Sequence, residues 1–424
     1  MHDLFRTSII LPYGMAIMNN NIYVTNIVFH RCAGLLEMIY SKAMDKVAFN
    51  PVYVLLAGAP VPSPLYAGIQ RVAKEMRWRL EVEPHCNGGI LGAWRGHGAL
   101  VPVGYSDDFA EMAENLMRNG VHVVDLTNGG APSMPRVAPD DRETGFIAAR
   151  HFSERGFRHL AFFSSHPGRS ACLMEEGFRQ GADRADVRRF PTRKSRRDFN
   201  ASAFMRLLEA AVIAAPKPLG VLCHDDFDAM AMINTRRNCM INIPNDVAIL
   251  GVGDIKDVCE NECVPLSSVR MDNERHGEEA ARCLARLIAG GRRSRCKTVL
   301  IKPVDITERR TTDALGTDDP LLRQAVEAMG RMIGRPFGVP DVARALDVSR
   351  GRLDRRFSSA LGHSTGREIL RLRLSRAKEL LLSGGLSVAE TAAATGFCNA
   401  AYFIAVFKKA TGLTPHAWKR SCGT

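Results

Sequence analysis

Three short clusters in the middle of the chain contain the side-chain types that nucleophilic and acid–base catalysis require. They are Ser164-Ser165-His166, Glu175-Glu176 and His224-Asp225-Asp226. None of them lies in a G-x-S-x-G elbow, a P-loop or an H-E-x-x-H helix. Residues that are adjacent in sequence on one loop also do not face one another, as a nucleophile and its base must. The sequence therefore predicts that the protein is not an enzyme.

Metal and membrane signals are equally weak. The eleven cysteines are scattered without a C-x-x-C pair, and the closest two, Cys259 and Cys263, have no Cys or His partner at zinc-site spacing. Such cysteines are typical of reduced thiols in a cytosolic protein, so we expect no metal site, no cofactor and a cytoplasmic location. No apolar run reaches the roughly 18 residues that a membrane span needs, and Arg6 and Pro12 interrupt the apolar N-terminal stretch.

Basic side chains recur at helical spacing near the carboxyl end of the chain. If Leu353 and Phe357 face inward, the opposite side of their helix carries charges that suit DNA: Arg355 matches guanine, and Asp354 matches the amino group of cytosine. Ser349 is the expected N-cap. An ordinary solvated charged face is the alternative interpretation. The predicted DNA-binding set here comprises Ser349, Arg350, Gly351, Arg352, Asp354 and Arg355.

The helix that carries these charges belongs to a repeated pattern. Each of two units has an apolar helix, a short break and a second apolar helix, and a long helical stretch, 364–383, joins them. One such pair could be any αα-hairpin, but two in tandem predict paired helix-turn-helix units. The core positions on which this rests are Val339, Val342, Ala343, Leu346, Leu353 and Phe357 in the first unit, and Val388, Thr391, Ala392, Phe403 and Phe407 in the second.

The second recognition helix differs from the first because its outward positions are apolar. Alanine and isoleucine cannot hydrogen-bond to base edges, although they can pack on thymine methyl groups, and two lysines follow that can contact phosphates. The sequence therefore predicts that the first helix supplies most of the specificity and the second helix docks. The predicted set in the second helix is Ala400, Ala401, Ile404, Ala405, Lys408 and Lys409.

The segments SRGRLDRRF, LRLSRAKELLL, LSVAETAAATGF and YFIAVFKKATGLTPHAWKR together resemble the DNA-binding domain of AraC/XylS-type transcription regulators. The charge distribution agrees: residues 320–424 contain 17 Lys/Arg against 7 Asp/Glu, whereas the remaining 319 residues are nearly neutral. A basic module fused to a domain with another task explains this asymmetry, and a merely soluble basic surface is the alternative.

From Val52 onward, short β-rich runs alternate with amphipathic helical stretches over some 250 residues. The runs include VYVLLA, VHVVDL, GVLC and VAILGV, and the helical stretches include a helix predicted at 228–237. This alternation predicts doubly wound parallel sheets, and its length predicts two lobes. The landmarks HDDFDAMAM, IPNDVAILGVGD and PLSSVRMDNERHGEEAARCLARLI resemble the sugar-sensing domains of LacI-type repressors and periplasmic sugar-binding proteins. The order of domains, a sensor of this kind followed by an AraC-type domain, resembles that of the xylose-operon regulators.

That resemblance, with the rule that ligands bind at the carboxyl ends of parallel strands, selects candidate effector residues. A carboxylate can accept from two vicinal hydroxyls of a sugar, and helix or loop capping is the alternative role for each acid. In the family pattern R-x-x-G-F the arginine binds the sugar, but this chain has Met174 at that position, so Arg169 is the expected substitute. Aromatic rings could stack on the sugar or belong to the core. Trp94 is a third aromatic residue that could stack on the sugar or belong to the core. The predicted ligand set is Asp226, Asp254, Asp140, Asp141, Arg169, Tyr66 and Phe227.

The sequence thus predicts an unassigned extension at 1–48, a two-lobed α/β periplasmic-binding-protein-like sensor with doubly wound parallel sheets at 49–310, a polar linker at 311–319 and an all-α tandem helix-turn-helix domain at 320–424. The resemblance implies a cytoplasmic homodimeric transcription regulator, an activator, that binds double-stranded promoter DNA and contacts RNA polymerase. Its effector would be a small sugar such as a pentose. A sensor that only dimerises, or an enzyme-linked regulator, are the rival hypotheses.

Overall fold

The computed structural model describes residues 9–11, 15–18, 21–24, 52–58, 63–83, 94, 96–166, 168–182, 185–192, 200–290, 298–317, 319–383 and 385–422. It divides into two compact units, 1–51 and 52–424. The first contains an antiparallel sheet of β1 (Ile9–Leu11), β2 (Met15–Met18) and β3 (Asn21–Val24), with β2 in the centre. The sequence left this region unassigned.

The second unit begins with a lobe built on a four-stranded parallel sheet. Its elements are β4 (Val52–Ala57), α1 (Pro64–Glu75), β5 (Trp78–Glu83), β6 (Gly98–Val101), a 3₁₀ turn (Val103–Tyr105), α2 (Asp107–Arg118) and β7 (His122–Asp125), with the strand order β5-β4-β6-β7. The next strand, β8 (Val137–Pro139), pairs in parallel with a strand from much later in the chain. Two-sided burial explains the continuous apolar runs at Val54 and Leu100.

The second lobe follows as α3 (Asp141–Glu154), β9 (His159–Phe163), α4 (Arg169–Gly181), β10 (Asp186–Arg189), α5 (Ala201–Ala214), β11 (Leu219–Cys223), α6 (Asp226–Asn234), α7 (Arg236–Cys239), β12 (Val247–Gly253), α8 (Lys256–Asn261) and β13 (Ser267–Met271). Helix α9 (Asn273–Gly290), which packs in the first lobe, and strands β14 (Val299–Ile301) and β15 (Pro303–Thr307) complete the α/β part. The six-stranded sheet has the order β10-β9-β11-β12-β13-β15, and only β15 runs antiparallel to its neighbour.

Strand alternation divides the core of the second lobe into two layers. Leu160 and Phe162 point to the layer under α3 and α4, whereas Ala161 and Phe163 point to the layer under α5 and α6. The pair α3–α4 approaches so closely that a Cβ on Gly177 would lie 1.9 Å from the carbonyl oxygen of Arg142. A side chain at this glycine would therefore push the two helices apart.

The all-α part contains α10 (Pro320–Met332), α11 (Val339–Ala345), α12 (Arg350–Leu361), α13 (Thr365–Ser383), α14 (Val388–Ala394), α15 (Ala400–Thr411) and α16 (Pro415–Cys422). One core surrounds Leu353 and Phe357, and the other surrounds Phe403 and Phe407. Helix α13 supplies Leu372 to the first core and Leu381 to the second, so it joins the two helix-turn-helix units as the sequence predicts.

Two sequence predictions change in detail. The helix expected at 228–237 is interrupted, because α6 ends at Asn234 and the short α7 begins at Arg236. The segment expected to be a polar linker is packed: Thr311 is fully buried and its hydroxyl accepts from the Ser267 amide at 2.8 Å, and Leu315 enters the core of the first helix-turn-helix unit. The Thr312 hydroxyl also forms a hydrogen bond with the Ser267 hydroxyl, at 2.8 Å. The domain boundaries themselves stay a prediction. Among the described residues, no helix is both long and apolar enough to cross a membrane.

Candidate effector cleft and nucleic-acid interface

The carboxyl ends of the second lobe's strands lie side by side. Phe163 of β9 pairs with Cys223 of β11, and β12 continues the parallel set to Gly253. The loops that begin after these residues, at Ser164, His224 and Asp254, therefore share one edge of the sheet. The sequence prediction that the candidate polar residues follow strand ends is thus realised in the geometry of the sheet.

Asp226 is completely buried and bound within its own lobe. Its Oδ1 accepts from the Ser268 hydroxyl at 2.6 Å and its Oδ2 accepts from the Ile255 amide at 2.8 Å. Burial raises the pKa of the Asp226 carboxyl to about 6, although these hydrogen bonds oppose the increase. The alternative role of helix N-cap belongs instead to Asp225, whose carboxylate accepts from the Asp228 amide at 2.7 Å. A sugar contact by Asp226 stays a prediction, and it requires the carboxylate to exchange a partner.

Asp254 also has its carboxylate occupied. Its Oδ1 accepts from Arg309 at 2.8 Å, and its Oδ2 accepts from the Thr307 hydroxyl at 2.6 Å. The residue has a positive φ of 54°, a left-handed conformation that aspartate tolerates better than most residues. The side chain thereby ties the end of β12 to the end of β15 and to Arg309 beyond it, and its ligand contact stays a prediction.

Asp140 and Asp141 occupy different positions at the start of α3. Asp140 is the N-cap and accepts from the Glu143 amide at 3.1 Å, the alternative that the sequence left open. Asp141 is only 4% exposed and accepts from the Asn128 amide group, which lies beyond β7 in the first lobe, at 2.8 Å. Burial raises the pKa of Asp141, and the Asn128 and Ser170 hydrogen bonds oppose the rise. Asp141 therefore holds the two lobes together at their crossover.

His224 brings further polar groups to the same place. Its Nε2 lies 3.1 Å from the Ser170 hydroxyl, and its Nδ1 lies 3.8 Å from the Asp225 carboxylate. Burial lowers the pKa of His224, but the hydrogen bond and charge of Asp225 outweigh burial, and the net pKa is raised. Tyr105 comes from the first lobe and exposes 63% of its surface. The pKa of its hydroxyl is raised by desolvation and, to a smaller extent, by the charges of Asp225 and Asp141. Both lobes thus contribute to one polar cluster.

The cluster also contains a potential metal-ligand group, formed by His224, Asp225 and Asp228 with ligand atoms within 4.8 Å of one another. Those atoms already have protein partners, since Asp225 caps helix α6 and Asp228 accepts from the Ser165 amide at 2.9 Å. The group is explained by its own hydrogen bonds.

The remaining predicted ligand residues separate into exposed and packed side chains. Arg169 begins α4 on the carboxyl edge, is exposed, and has no hydrogen bond or ion pair with any described residue. Phe227 lies near the start of α6 and exposes 55% of its surface. Tyr66 packs against the core of the first lobe, and Trp94 donates to Glu81 at 2.7 Å. Met174 is 2% exposed and belongs to the core, so this position holds no ligand.

The sequence did not select Tyr105, Asn128, Ser170 or His224 as ligand residues. Asn128 and His224 each follow a strand end, which is the signal that could have selected them. Tyr105 and Ser170 carry no such signal, because one lies in a 3₁₀ turn and the other inside the first turn of a helix.

The first recognition helix, α12, presents the predicted basic face. Ser349 caps it by accepting from the Arg352 amide at 3.2 Å. The side chains of Arg350, Arg352 and Arg355 are exposed, as is Gly351. Asp354, however, accepts from the Thr365 amide at 3.3 Å and lies 3.5 Å from Arg350. Asp354 thereby links α12 to α13. Its predicted contact with cytosine would require this hydrogen bond to break.

The second recognition helix, α15, is mostly apolar on its outer side, as the sequence predicts. Asn399 caps it by accepting from the Tyr402 amide at 2.8 Å. The exposed predicted residues are Ala401, Ile404, Ala405, Lys408 and Lys409, whereas Ala400 is partly buried against the core. Tyr402 is also on the exposed side, half of its surface being accessible, and the sequence prediction omitted it. Because Phe403 faces the core, the adjacent Tyr402 is expected on the outer side of the helix, so the sequence alone could have identified it.

An ion-pair network joins the α/β part to the helical part. Glu308 lies 2.7 Å from Arg155 at the end of α3 and 3.2 Å from Arg371 of α13, and Arg371 also binds Glu368 at 2.8 Å. Burial would raise the pKa of Glu308, but the guanidinium groups of Arg155 and Arg371 outweigh burial and hold that pKa well below its usual range. The charged form of Glu308 is therefore stabilised by docking of the two parts.

Asp305 of β15 forms a second contact across the same junction. It accepts from the indole Nε1 of Trp418 in α16 and from Arg270, each at 3.0 Å, and Lys378 of α13 lies 4.0 Å away. Trp418 is almost fully buried. We refer to the contacts of Glu308 and Asp305 as the domain junction.

Known proteins with similar sequences fall into two groups that match different parts of the chain. A family model described as a periplasmic binding protein-like domain matches residues 149–312, and one described as a helix-turn-helix domain matches residues 342–421. The HTH-type transcriptional regulator GbdR of Pseudomonas aeruginosa is 34% identical over 101 residues, which are 24% of this chain and 28% of that protein.

Relatives that span most of the chain have both parts. The xylose operon regulatory protein of Escherichia coli K12 is 24% identical over 367 residues, covering 82% of this chain and 90% of that protein. The protein of the same name from Haemophilus influenzae is 23% identical over 295 residues, covering 69% and 76%. These curated relatives are transcription regulators.

Solved structures agree on the fold. A structure of the xylose-binding transcription activator XylR covers 87% of this chain and 97% of its own, with a TM-score of 0.54 and 22% identity. A LacI family transcriptional regulator from Mycobacterium smegmatis covers 62% of this chain and all of its own, with a TM-score of 0.51 and 23% identity. The chain therefore combines a periplasmic-binding-protein-like sensor domain with an AraC-type helix-turn-helix domain, in the manner of the xylose operon regulators.

Proposed function

We propose that the protein is a cytoplasmic, sequence-specific transcription regulator whose affinity for promoter DNA depends on a small sugar, a pentose such as xylose. It acts as an activator and a homodimer, and it contacts RNA polymerase. The exposed basic face of α12 carries this proposal, because a helix-turn-helix unit reads DNA by placing such a face in the major groove.

The two recognition helices divide the work unequally. Arg350 and Arg355 of α12 are exposed, although Arg350 lies 3.5 Å from Asp354 and the Nε of Arg355 donates to the Gly351 carbonyl at 3.2 Å. In the proposed complex they reach base edges, where a bidentate arginine–guanine pair discriminates by about 1–3 kcal/mol. Helix α15 exposes Ile404 and Tyr402 among alanines, followed by Lys408 and Lys409 at its last turn. Such a surface packs on thymine methyl groups and neutralises phosphates, which adds affinity with little sequence information.

The polar cluster between the lobes supports the sensor role. Asp141, Asn128, Ser170 and His224 gather hydrogen-bonding groups from both lobes, and Tyr105 exposes an aromatic ring beside them. A sugar presents hydroxyls to such groups and an apolar face to such a ring. Arg169, exposed at the edge of the same region, is the arginine that takes the place of the buried Met174.

The proposal is tested first by selection of binding sites from random duplexes with the full-length protein, followed by titrations at several salt concentrations. We expect enrichment of a repeated half-site and an affinity that falls steeply with salt concentration. Selection that enriches no sequence would contradict the assignment of α12 as a base reader.

The effector is tested by thermal shift of the full-length protein against pentoses, hexoses and their acids. A ligand at 100 times its dissociation constant adds about 2.7 kcal/mol to stability. By reciprocity, the sugar and the operator must change each other's affinity by the same factor. Equal operator affinity with and without a bound sugar would contradict control through DNA binding.

A sensor domain that only dimerises is the second candidate. It is favoured by the internal pairing of Asp226 and Asp254, whose carboxylates already have two partners each. Specific DNA binding together with no thermal response to any sugar would support it.

A further inference from the structure

The two helix-turn-helix units touch each other beside helix α13, which runs through both. The segment that precedes α11 lies against the turn of the second unit, where a Cβ on Gly396 would lie 2.5 Å from the Arg335 carbonyl oxygen. Gly396 also has a positive φ of 76°, which glycine adopts without strain. A side chain here would force the two segments apart, so the units are in direct backbone contact outside α13.

Arg373 of α13 lies at this contact and binds both units. Its Nη2 donates to the carbonyl oxygen of Phe337, which lies before α11, at 2.8 Å. The Cζ of Arg373 is 4.7 Å from the ring centroid of Phe337 and 5.9 Å from that of Phe397. Phe337 packs against the core of the first unit, whereas Phe397 belongs to the core of the second. One cation therefore contacts an aromatic ring from each unit.

The two rings connect Arg373 to the two recognition helices. Phe397 lies in the turn between α14 and α15, is 5% exposed, and has its ring centroid 5.0 Å from that of Phe403 in α15. Phe337 lies two residues before α11, whose Val342 shares a core with Leu353 of α12. The contacts of Arg373 therefore hold α15 relative to the unit that contains α12.

A guanidinium group suits this position because it is planar. It can lie over aromatic faces and still donate hydrogen bonds in its own plane, which the ammonium group of lysine cannot do. Burial lowers the pKa of Arg373, and cation–π attraction is stronger for a cation that has lost part of its hydration. Without the guanidinium, Phe337 and Phe397 lose the group that they share, and α13 can bend between the two units.

We propose that Arg373 is a positioning residue that fixes α15 relative to α12 and thereby determines the spacing between the two DNA subsites that one subunit recognises. Two linked binding modules have the highest effective concentration when their connection matches the span of their sites, and a rigid connection favours one span. The proposal rests on the proposed binding of DNA by both recognition helices, but the geometry behind it can be measured without DNA.

The first experiment measures the distance between α12 and α15 in the full-length protein without DNA, by double electron–electron resonance. Spin labels are attached through p-acetylphenylalanine at Ser359 and Ala410, which are exposed and outside the predicted DNA-binding set, because the eleven native cysteines preclude thiol labelling. Dilution with unlabelled protein restricts the signal to distances within one subunit. We expect one narrow distribution for the native protein, and a distribution broader by about twofold or more for Arg373→Met, which keeps the aliphatic stem but lacks the guanidinium.

The second experiment measures affinity for a duplex selected with the native protein and for the same duplex with one base pair inserted between the two subsites. The insertion rotates one subsite by about 35° relative to the other, and it should weaken binding by the native protein about tenfold or more. Arg373→Met should reduce this penalty by about threefold or more, because a flexible connection tolerates more spacings. A loss of stability or of a phosphate contact affects both duplexes alike, so it does not change the penalty.

Arg376→Met is the matched control, because Arg376 is exposed on the same helix and pairs with Glu379 at 2.6 Å. It should leave the distance distribution and the insertion penalty unchanged. If Arg373→Met does not fold, Arg373→Lys replaces it, since lysine keeps the charge but not the planar group. The same direction of change is expected for both measurements.

The proposal is overturned if the distance distribution stays as narrow as that of the control. It is also overturned if the distribution broadens while the insertion penalty stays the same. If the native protein prefers no sequence, the proposed function fails, and the distance measurement alone decides whether Arg373 positions the two helices. The two proposals therefore fail separately.

Discussion

Replacement of Glu308 by alanine should uncouple the helical domain from the sensor and lower the stability of the chain. The substitution removes the carboxylate that lies 2.7 Å from Arg155 and 3.2 Å from Arg371. Loss of one partner of a buried ion pair costs about 3–5 kcal/mol, because the remaining charge is left in a medium of low dielectric. Arg371 keeps Glu368 at 2.8 Å, whereas Arg155 keeps no ion pair with any residue that the structure describes, so we expect a loss of about 3 kcal/mol.

The effect can be measured by urea denaturation of the full-length protein, followed by tryptophan fluorescence and circular dichroism. With Trp78 and Trp94 replaced by phenylalanine in both proteins, the fluorescence comes from Trp418, which reports on the junction through its hydrogen bond to Asp305. The fluorescence transition should then move to lower urea and separate from the change in secondary structure. Glu176→Ala removes a carboxylate from an exposed pair and should change stability by less than about 1 kcal/mol. If Glu308→Ala and Glu176→Ala unfold at the same urea concentration, the ion-pair argument is refuted.

The pH dependence has a definite sign. The pKa of Glu308 is lower in the folded protein than the value of about 4.3 in an unfolded chain. Its contribution to stability is therefore complete above that pH and is lost as the pH falls below it toward the folded pKa. The difference in stability between the native protein and Glu308→Ala should shrink in acid. A difference that stays constant down to the acid limit of folding would contradict the ion-pair assignment.

Three further predictions concern single side chains. The Asp226 carboxyl has a pKa of about 6 in the folded protein, above the value of about 3.9 in an unfolded chain, so its contribution to stability is present in acid and is lost as the pH rises to 6. Asp226→Asn should therefore remove about 3 kcal/mol of the pH dependence of the unfolding free energy between pH 4 and 7, and an unchanged pH dependence would contradict the burial of this carboxyl. Arg355→Ala should weaken DNA binding by about 1–3 kcal/mol through one base position, whereas Lys408→Ala should weaken binding to all sequences alike and reduce the slope of log affinity against log salt by about one. Binding-site selections with the two variants distinguish these effects, and identical sequence preferences would argue against the unequal division between the two helices. Gly177→Ala should destabilise the α3–α4 pair by about 1–3 kcal/mol, because its Cβ meets the Arg142 carbonyl at 1.9 Å, and calorimetry showing no loss would contradict that close approach.

The sequence was sufficient for the fold where periodicity and burial agree. The apolar run at 220–223 could be assigned to a buried strand, and the spacing of Phe403 and Phe407 indicated the inward face of α15, because both patterns record which side of an element meets a core. The break within the predicted helix 228–237 has no comparable signal. It depends on the turn at Thr235, whose side chain is fully buried.

The roles of charged side chains were harder to predict, because they depend on neighbours distant in sequence. Asp354 has the spacing of a base reader, yet it binds the Thr365 amide of the next helix. Asp226 lies at the start of a helix, where a cap is expected, yet its neighbour Asp225 is the cap and Asp226 accepts from Ser268 instead. Position in sequence identifies which strand end an acid follows, but the partner that satisfies it is determined by tertiary packing.

Helix α3 connects the two regions on which the proposed regulation depends. It begins at Asp141, which binds Asn128 of the first lobe, and Arg155, which follows its last residue, binds Glu308 at the domain junction. Fourteen helical residues span about 21 Å, and a packed helix moves as a rigid body rather than stretching. A ligand that shifts the first lobe relative to Asp141 must therefore act on α3 as a whole, and α3 holds Arg155 against the pair formed by Glu308 and Arg371 of α13. Because α13 contributes to both helix-turn-helix cores, α3 and α13 together form a continuous path of contacts from the proposed sugar site to both recognition helices.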